Sequence, residues 1–161
     1  SCWETLAQPF EPDLTLARLQ ELFAPLRRRL PELLGQLQGG PRPTSLSWDL
    51  EASTQQDLCD QLLKAWGRDE AITCVAASPH PFSITLGPRD FRITTRVVAG
   101  QPLSCFLATA HEWGHSLYEQ GLLPSSHQWF AWPLGQATSM AVHESQSLFW
   151  ENRVARSRPF A

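Results

Sequence analysis

Ser104-Cys-Phe-Leu-Ala-Thr-Ala-His111-Glu112-Trp113-Gly114-His115-Ser-Leu-Tyr118-Glu-Gln120-Gly121 is the stretch on which the reading of this chain turns. Its pattern predicts a helix from about Ser104 to Gln120, closed by Gly121. On such a helix His111 and His115 lie one turn apart on one face, so both imidazoles can reach one cation. Glu112 projects beside them, and in a metal-dependent peptidase that neighbour takes a proton from the attacking water. A histidine-rich surface helix would show the same five residues. Gly114 argues for more than that, because glycine in a helix interior costs about 1 kcal/mol relative to alanine and implies close approach to the backbone there. Trp113 points away from the two histidines and is expected in the core. Tyr118 returns to their face, where packing against the next helix explains it equally well.

A catalytic zinc takes three protein ligands and leaves a position open for water. The third should come from another element. A helix predicted from about Leu134 to Arg156 offers His143-Glu144-Ser145-Gln146-Ser147. Adjacent helical residues differ by about 100° in direction, so only one of His143 and Glu144 faces inward. Spacing alone does not choose between them. Physics favours Glu144, since two neutral imidazoles and one carboxylate make the His₂Glu set.

The remaining chain reads as scaffold. From Asp13 to Gln38 leucines recur at three- and four-residue steps, an amphipathic helix that Pro25 or Pro31 should break into two. Gly39 and Gly40 end it, and the turn-rich stretch through Ser45 joins it to a helix expected from Ser53 or Thr54 to Gly67. That helix should present Leu58, Leu62, Leu63 and Trp66 on one face. Between Phe82 and Val98 the apolar residues alternate on both sides of Gly87-Pro88-Arg89-Asp90, which predicts a β-hairpin.

Composition narrows the class. With 161 residues and 42% apolar content the chain can bury a core and reads as a single domain, 1–161. Within it, residues 1–67 form the helical scaffold and 78–161 the hairpin and zinc-site helices. A net charge of −3 without a basic block gives no footprint for nucleic acid or an anionic membrane. No apolar run reaches bilayer length, and no secretory leader pattern is found, so cytoplasmic placement is expected. Cys2, Cys59, Cys74 and Cys105 form no CxxC pair and read as free thiols. His127 reads as solvent-facing in a loop.

Further motifs surround the helix. His80-Pro81-Phe82, Asp90-Phe-Arg92-Ile-Thr94, His111-Glu112-Trp-Gly-His115 and His143-Glu144-Ser145-Gln146 occur in this order. They resemble the HPF, DxRxT, HExGH and HESQ motifs of the carboxypeptidase Taq family, the thermostable carboxypeptidase 1 type of zinc metallocarboxypeptidase. Tyr118-Glu-Gln-Gly-Leu, Pro133-Leu-Gly135 and Trp150-Glu-Asn-Arg-Val are also similar, so the resemblance spans about 78–160 and the N-terminal helices fit loosely. It implies His111, His115 and Glu144 as zinc ligands, with Co²⁺ or another divalent ion as a possible replacement, and Glu112 as the catalytic glutamate. It also implies a mainly α fold with one small β-hairpin or sheet, zincin-like and helical, and a homodimer. Ala131-Trp132-Pro133 and Leu148 depart from the family pattern. The family's IRxxAD and GxxQDxHW motifs do not follow, which implies a partial or shortened version of the fold that lacks the C-terminal part and has little activity alone.

The function expected is release of C-terminal residues from peptides by metal-activated water. His80, Arg92 and Arg96 are the candidates for holding the peptide substrate, although the face shared by Asp90, Arg92 and Thr94 could equally be solvated. Two other readings share these residues. One is a non-catalytic metal-binding remnant or a fragment that needs a partner segment, against which the intact Glu112 argues. The other is a zinc oligopeptidase or endopeptidase.

Overall fold

A computed structural model describes residues 1–42, 44, 49–122, 130 and 132–160. The chain divides into two compact units, Ser1–Leu46 and Ser47–Ala161. The first holds helices α1 (Cys2–Ala7) and α2 (Leu16–Gln38). Ser1 and Glu4 cap α1 reciprocally, and the Thr15 side chain accepts from the Arg18 amide to start α2. α2 runs unbroken through Pro25 and Pro31, against the expected division into two helices. No α2 residue is buried, so the carbonyls that lose a donor to the two prolines can turn to water instead.

The second unit carries the site. α3 (Ala52–Ala65) is followed by strands β1 (Thr73–Ala77), β2 (Phe82–Gly87) and β3 (Asp90–Thr95), then α4 (Pro102–Leu122) and α5 (Met140–Leu148). α3 ends at Trp66, with Gly67 at φ +87°, where glycine carries no Cβ penalty. Its buried face is Gln55, Cys59, Leu62 and Leu63, while Leu58, expected on that face, is exposed.

The expected hairpin is present as β2 and β3, paired antiparallel. Sequence reading missed β1, which pairs parallel to β3 and makes the strand order β1-β3-β2. The Ser78–Pro81 connection therefore crosses the end of the central strand. Thr94 at that end fixes it: its hydroxyl accepts from the Phe82 amide at 3.0 Å and lies 2.7 Å from the Ser78 hydroxyl, which also donates to the His80 carbonyl.

Phe91, Ile93 and Thr95 of β3 are buried on one face of the sheet. Ile93 meets Leu63 of α3 and Trp113 of α4 in a core flanked by Trp66, Val75, Leu117 and Trp150. Trp113 is fully buried, as expected. Burying a tryptophan removes about 150–250 Å² from water, on the order of 4–6 kcal/mol at 25 cal/mol per Å². That anchors α4 beside its two histidines. Cys59 and Cys105 are free thiols with their sulfurs 3.5 Å apart in the same interior.

Two helix boundaries differ from expectation. Gly121 lies within the last turn of α4 rather than after it. The helix expected from Leu134 begins only at Met140, where Ser139 caps it through the Val142 amide, and Pro133–Gly135 forms a separate 3₁₀ turn. Beyond α5 the chain continues as a wide π turn over Phe149–Val154. His127, with most of the loop around it, lies outside the described residues.

Candidate metal centre

His111 and His115 are both on α4, with ring centroids 4.9 Å apart at 80°. Glu144 arrives from α5. A Cβ on Gly114 would lie 2.6 Å from the Gln146 carbonyl oxygen and 2.7 Å from Ser147 Cα, so only glycine lets the α5 backbone come this close. The close approach inferred from the sequence is thus the backbone that carries Glu144.

Glu144 then spans both rings. His115 Nε2 lies 3.3 Å from Glu144 Oε2, and His111 Nε2 lies 3.7 Å from Glu144 Oε1. One donor atom from each of the three residues lies within 4.8 Å of the others. Two ligands held at 2.0–2.1 Å on a tetrahedral ion stand about 3.4 Å apart, so the two histidine–carboxylate distances suit a shared divalent cation. Burial, followed by the neighbouring His143 and His111, pushes the His115 imidazole down to about 4. It stays neutral and able to ligate near neutral pH.

The second ring nitrogens are held from behind. His111 Nδ1 is 3.1 Å from Glu151 Oε2, supplied by the π turn, and Arg156 pairs with the other Glu151 oxygen at 2.8 Å. π turns are rare and occur often at functional sites. His115 Nδ1 is 2.5 Å from His143 Nδ1, and His143 Nε2 is 2.8 Å from Glu119 Oε1. His143, the sequence rival for the third ligand position, stands behind His115. Tyr118 meets the His143 ring edge-on at 5.2 Å.

Glu112 turns toward β2, where the Ser83 hydroxyl hydrogen-bonds its carboxylate, and it stays close enough to His111 and Glu144 to feel both charges. It is 7% exposed, and burial raises its carboxyl above the ordinary range against the lowering effects of His111, the Ser83 hydroxyl and His80. His80 is exposed and near enough to act on this carboxylate. Arg92 is not brought to the site: it lies on the sheet face opposite buried Phe91 and Ile93, with its Nε and Nη2 each 2.9 Å from Asp90. Arg96 lines a separate shallow hollow with Gln56, Ser78 and Pro79. A cavity of about 280 Å³ follows the Glu112 side of α4, lined by Ser83, Thr85, Ser116, Glu119, Gln136 and His143 among others.

The family model for the carboxypeptidase Taq (M32) metallopeptidases matches residues 1–161. The chain belongs to this family. The M32 match takes in the N-terminal helices as well as the motif-bearing half. Over 161 residues the chain is 40% identical to thermostable carboxypeptidase 1 of Thermus thermophilus, covering 98% of this chain and 31% of that protein. It is 32% identical to carboxypeptidase 1 of Bacillus subtilis, covering 98% and 32%. Among solved structures, the M32 carboxypeptidase of Deinococcus radiodurans superposes with a TM-score of 0.83 at 35% identity, covering 94% of this chain and 30% of that one. Trypanosoma cruzi metallocarboxypeptidase 1 gives 0.85 at 34% identity, covering 96% and 31%. The chain therefore spans about a third of the length of these M32 relatives. The mainly helical fold with a small sheet described above thus superposes on part of each of these two solved structures.

Three residues around this candidate site were missed by sequence reasoning. Glu119 had a signal, an acidic residue one helical turn beyond His115. Ser83 reaches Glu112 only because β2 folds onto α4. Glu151 depends on a π turn, which leaves no mark in the hydrophobic periodicity.

Proposed function

We propose that this chain is the metal-bearing part of a zinc metallocarboxypeptidase that releases C-terminal residues from peptides. The observation that carries the reading is the convergence of His111, His115 and Glu144 beside a buried glutamate. When bound, a divalent ion in such a site acidifies water and polarises a carbonyl.

The protein's own residues divide the remaining work. Glu112 takes the proton of the attacking water and returns it to the leaving amine, and burial gives its carboxylate more basicity than an exposed one has. The Ser83 hydroxyl orients that carboxylate. His80, exposed on the same side, is the donor for charge developing on the carbonyl oxygen. β2 is an edge strand of the sheet on the side of α4, and an extended peptide could add to it by backbone hydrogen bonds while a side chain enters the cavity beside Ser116 and Glu119. Arg92 and Arg96 enter this proposal as carboxylate partners only if a substrate reaches around the sheet to them.

Glu112→Gln tests the reading, because the amide cannot take the proton at neutral pH. It should keep the metal while peptide hydrolysis by the active polypeptide falls by about 10²–10⁴-fold, measured as amino acid released. Near-normal turnover would move the base elsewhere. A substrate blocked at its C-terminus separates an exopeptidase, which should spare it, from an endopeptidase.

A further inference from the structure

We propose that Glu119 acts through His143 to hold His115 in the one tautomer that can ligate a cation; this rests on the metal reading above. Two ring nitrogens 2.5 Å apart, His115 Nδ1 and His143 Nδ1, must share one proton, and either ring could supply it. Glu119 decides. A carboxylate only accepts, so with Glu119 Oε1 at 2.8 Å the proton of a neutral His143 sits on Nε2. His143 Nδ1 is then bare and accepts, and the shared proton belongs to His115 Nδ1. That leaves the His115 Nε2 lone pair facing the Glu144 carboxylate at 3.3 Å, a longer and weaker contact than the one at 2.5 Å that fixes the proton on Nδ1.

The surroundings keep this order fixed. The side chains of His115, His143 and Glu119 are 12%, 16% and 26% exposed, so water competes weakly for their hydrogen bonds. The Tyr118 ring packs edge-on against His143 and restrains its orientation. His111 reaches the same tautomer in one step, donating from Nδ1 directly to Glu151. The two ligands thus have unequal support: a carboxylate in contact with one, and a carboxylate one ring removed from the other. Glu119 and His143 are positioning residues, touching neither the cation nor the substrate carbonyl.

Tautomers are read directly in metal-free, ¹⁵N-histidine-labelled protein by long-range proton–nitrogen correlation. The expected wild-type result is His115 protonated on Nδ1 and His143 on Nε2. Glu119→Leu should transfer His115 population to the Nε2-protonated form and weaken zinc binding 10- to 100-fold, measured by competition with a chromophoric chelator. Glu119→Gln, whose amide oxygen still accepts, should keep the tautomer and lose less than tenfold. A wild-type His115 already protonated on Nε2 would overturn the proposal without any variant. So would Glu119→Leu with unchanged tautomer and affinity. If the expected tautomers appear but zinc does not bind, the metal reading fails while the proton assignment stands.

Discussion

α2 and α4 are helices of 23 and 21 residues, and each contains residues that weaken a helix. In α2 these are Pro25, Pro31 and Gly35, and a Cβ added to Gly35 would meet no atom within 4 Å. In α4 one of them is Gly114, where the same Cβ would strike the backbone of α5. α2 buries none of its residues, whereas α4 buries seven. A helix breaker in α2 is tolerated because none of its residues is buried. Gly114 is required because the strand of backbone that carries Glu144 occupies the place of its side chain. Composition alone makes the two helices look similarly compromised, and only the neighbour distinguishes them.

The largest effect is expected from Gly114→Ala. The clash is with backbone, which cannot move aside like a side chain, so stability should fall by about 3 kcal/mol in urea unfolding. Zinc affinity should fall with it, since α5 must back away. A neutral result would mean that α5 does not pack on Gly114.

A second effect, of similar or smaller size, belongs to the buried face of α4 and has no counterpart in α2. His115 is depressed from 6.5 to about 4, so the metal-free protein keeps this contribution above pH 6.5 and loses it as pH falls through about 4, on the order of 3 kcal/mol. Glu112 has the opposite sign: its raised carboxyl contributes stability at low pH that is lost as pH rises from 4.5 through its folded value. Urea titrations between pH 7 and 4 should therefore show an acid loss that His115→Gln flattens and Glu112→Gln steepens. No change of slope in either variant would contradict the assigned burial.

The smallest expected effect is Gly35→Ala. With open space around it and a helical backbone, α2 should gain about 0.5–1 kcal/mol in local stability, read by hydrogen exchange of its amides. A loss there would mean that α2 has a packed face after all.

How much of this was legible in the sequence follows the same division. The His111–His115 pair and the hairpin were readable because helical and strand periods act within one short segment. Gly114 announced a close neighbour, and α5 is that neighbour. The break expected at Pro25 or Pro31 did not occur, because an exposed helix can leave freed carbonyls to water. β1 escaped notice because Thr73-Cys-Val-Ala-Ala is short and weakly patterned, and its place is set by pairing with β3. Glu119 and Glu151 gain their roles only from imidazoles on the facing helix or across the π turn, a tertiary fact without a period.

In the function proposed above, His111, His115 and Glu144 hold one divalent ion. Anomalous diffraction at the zinc edge from crystals of this protein soaked in zinc tests it most directly. A single strong peak is expected about 2.0–2.2 Å from Nε2 of each histidine and from a Glu144 carboxylate oxygen. A peak on His143 in place of Glu144, on the sulfurs of Cys59 and Cys105, or no peak at saturating zinc would contradict it.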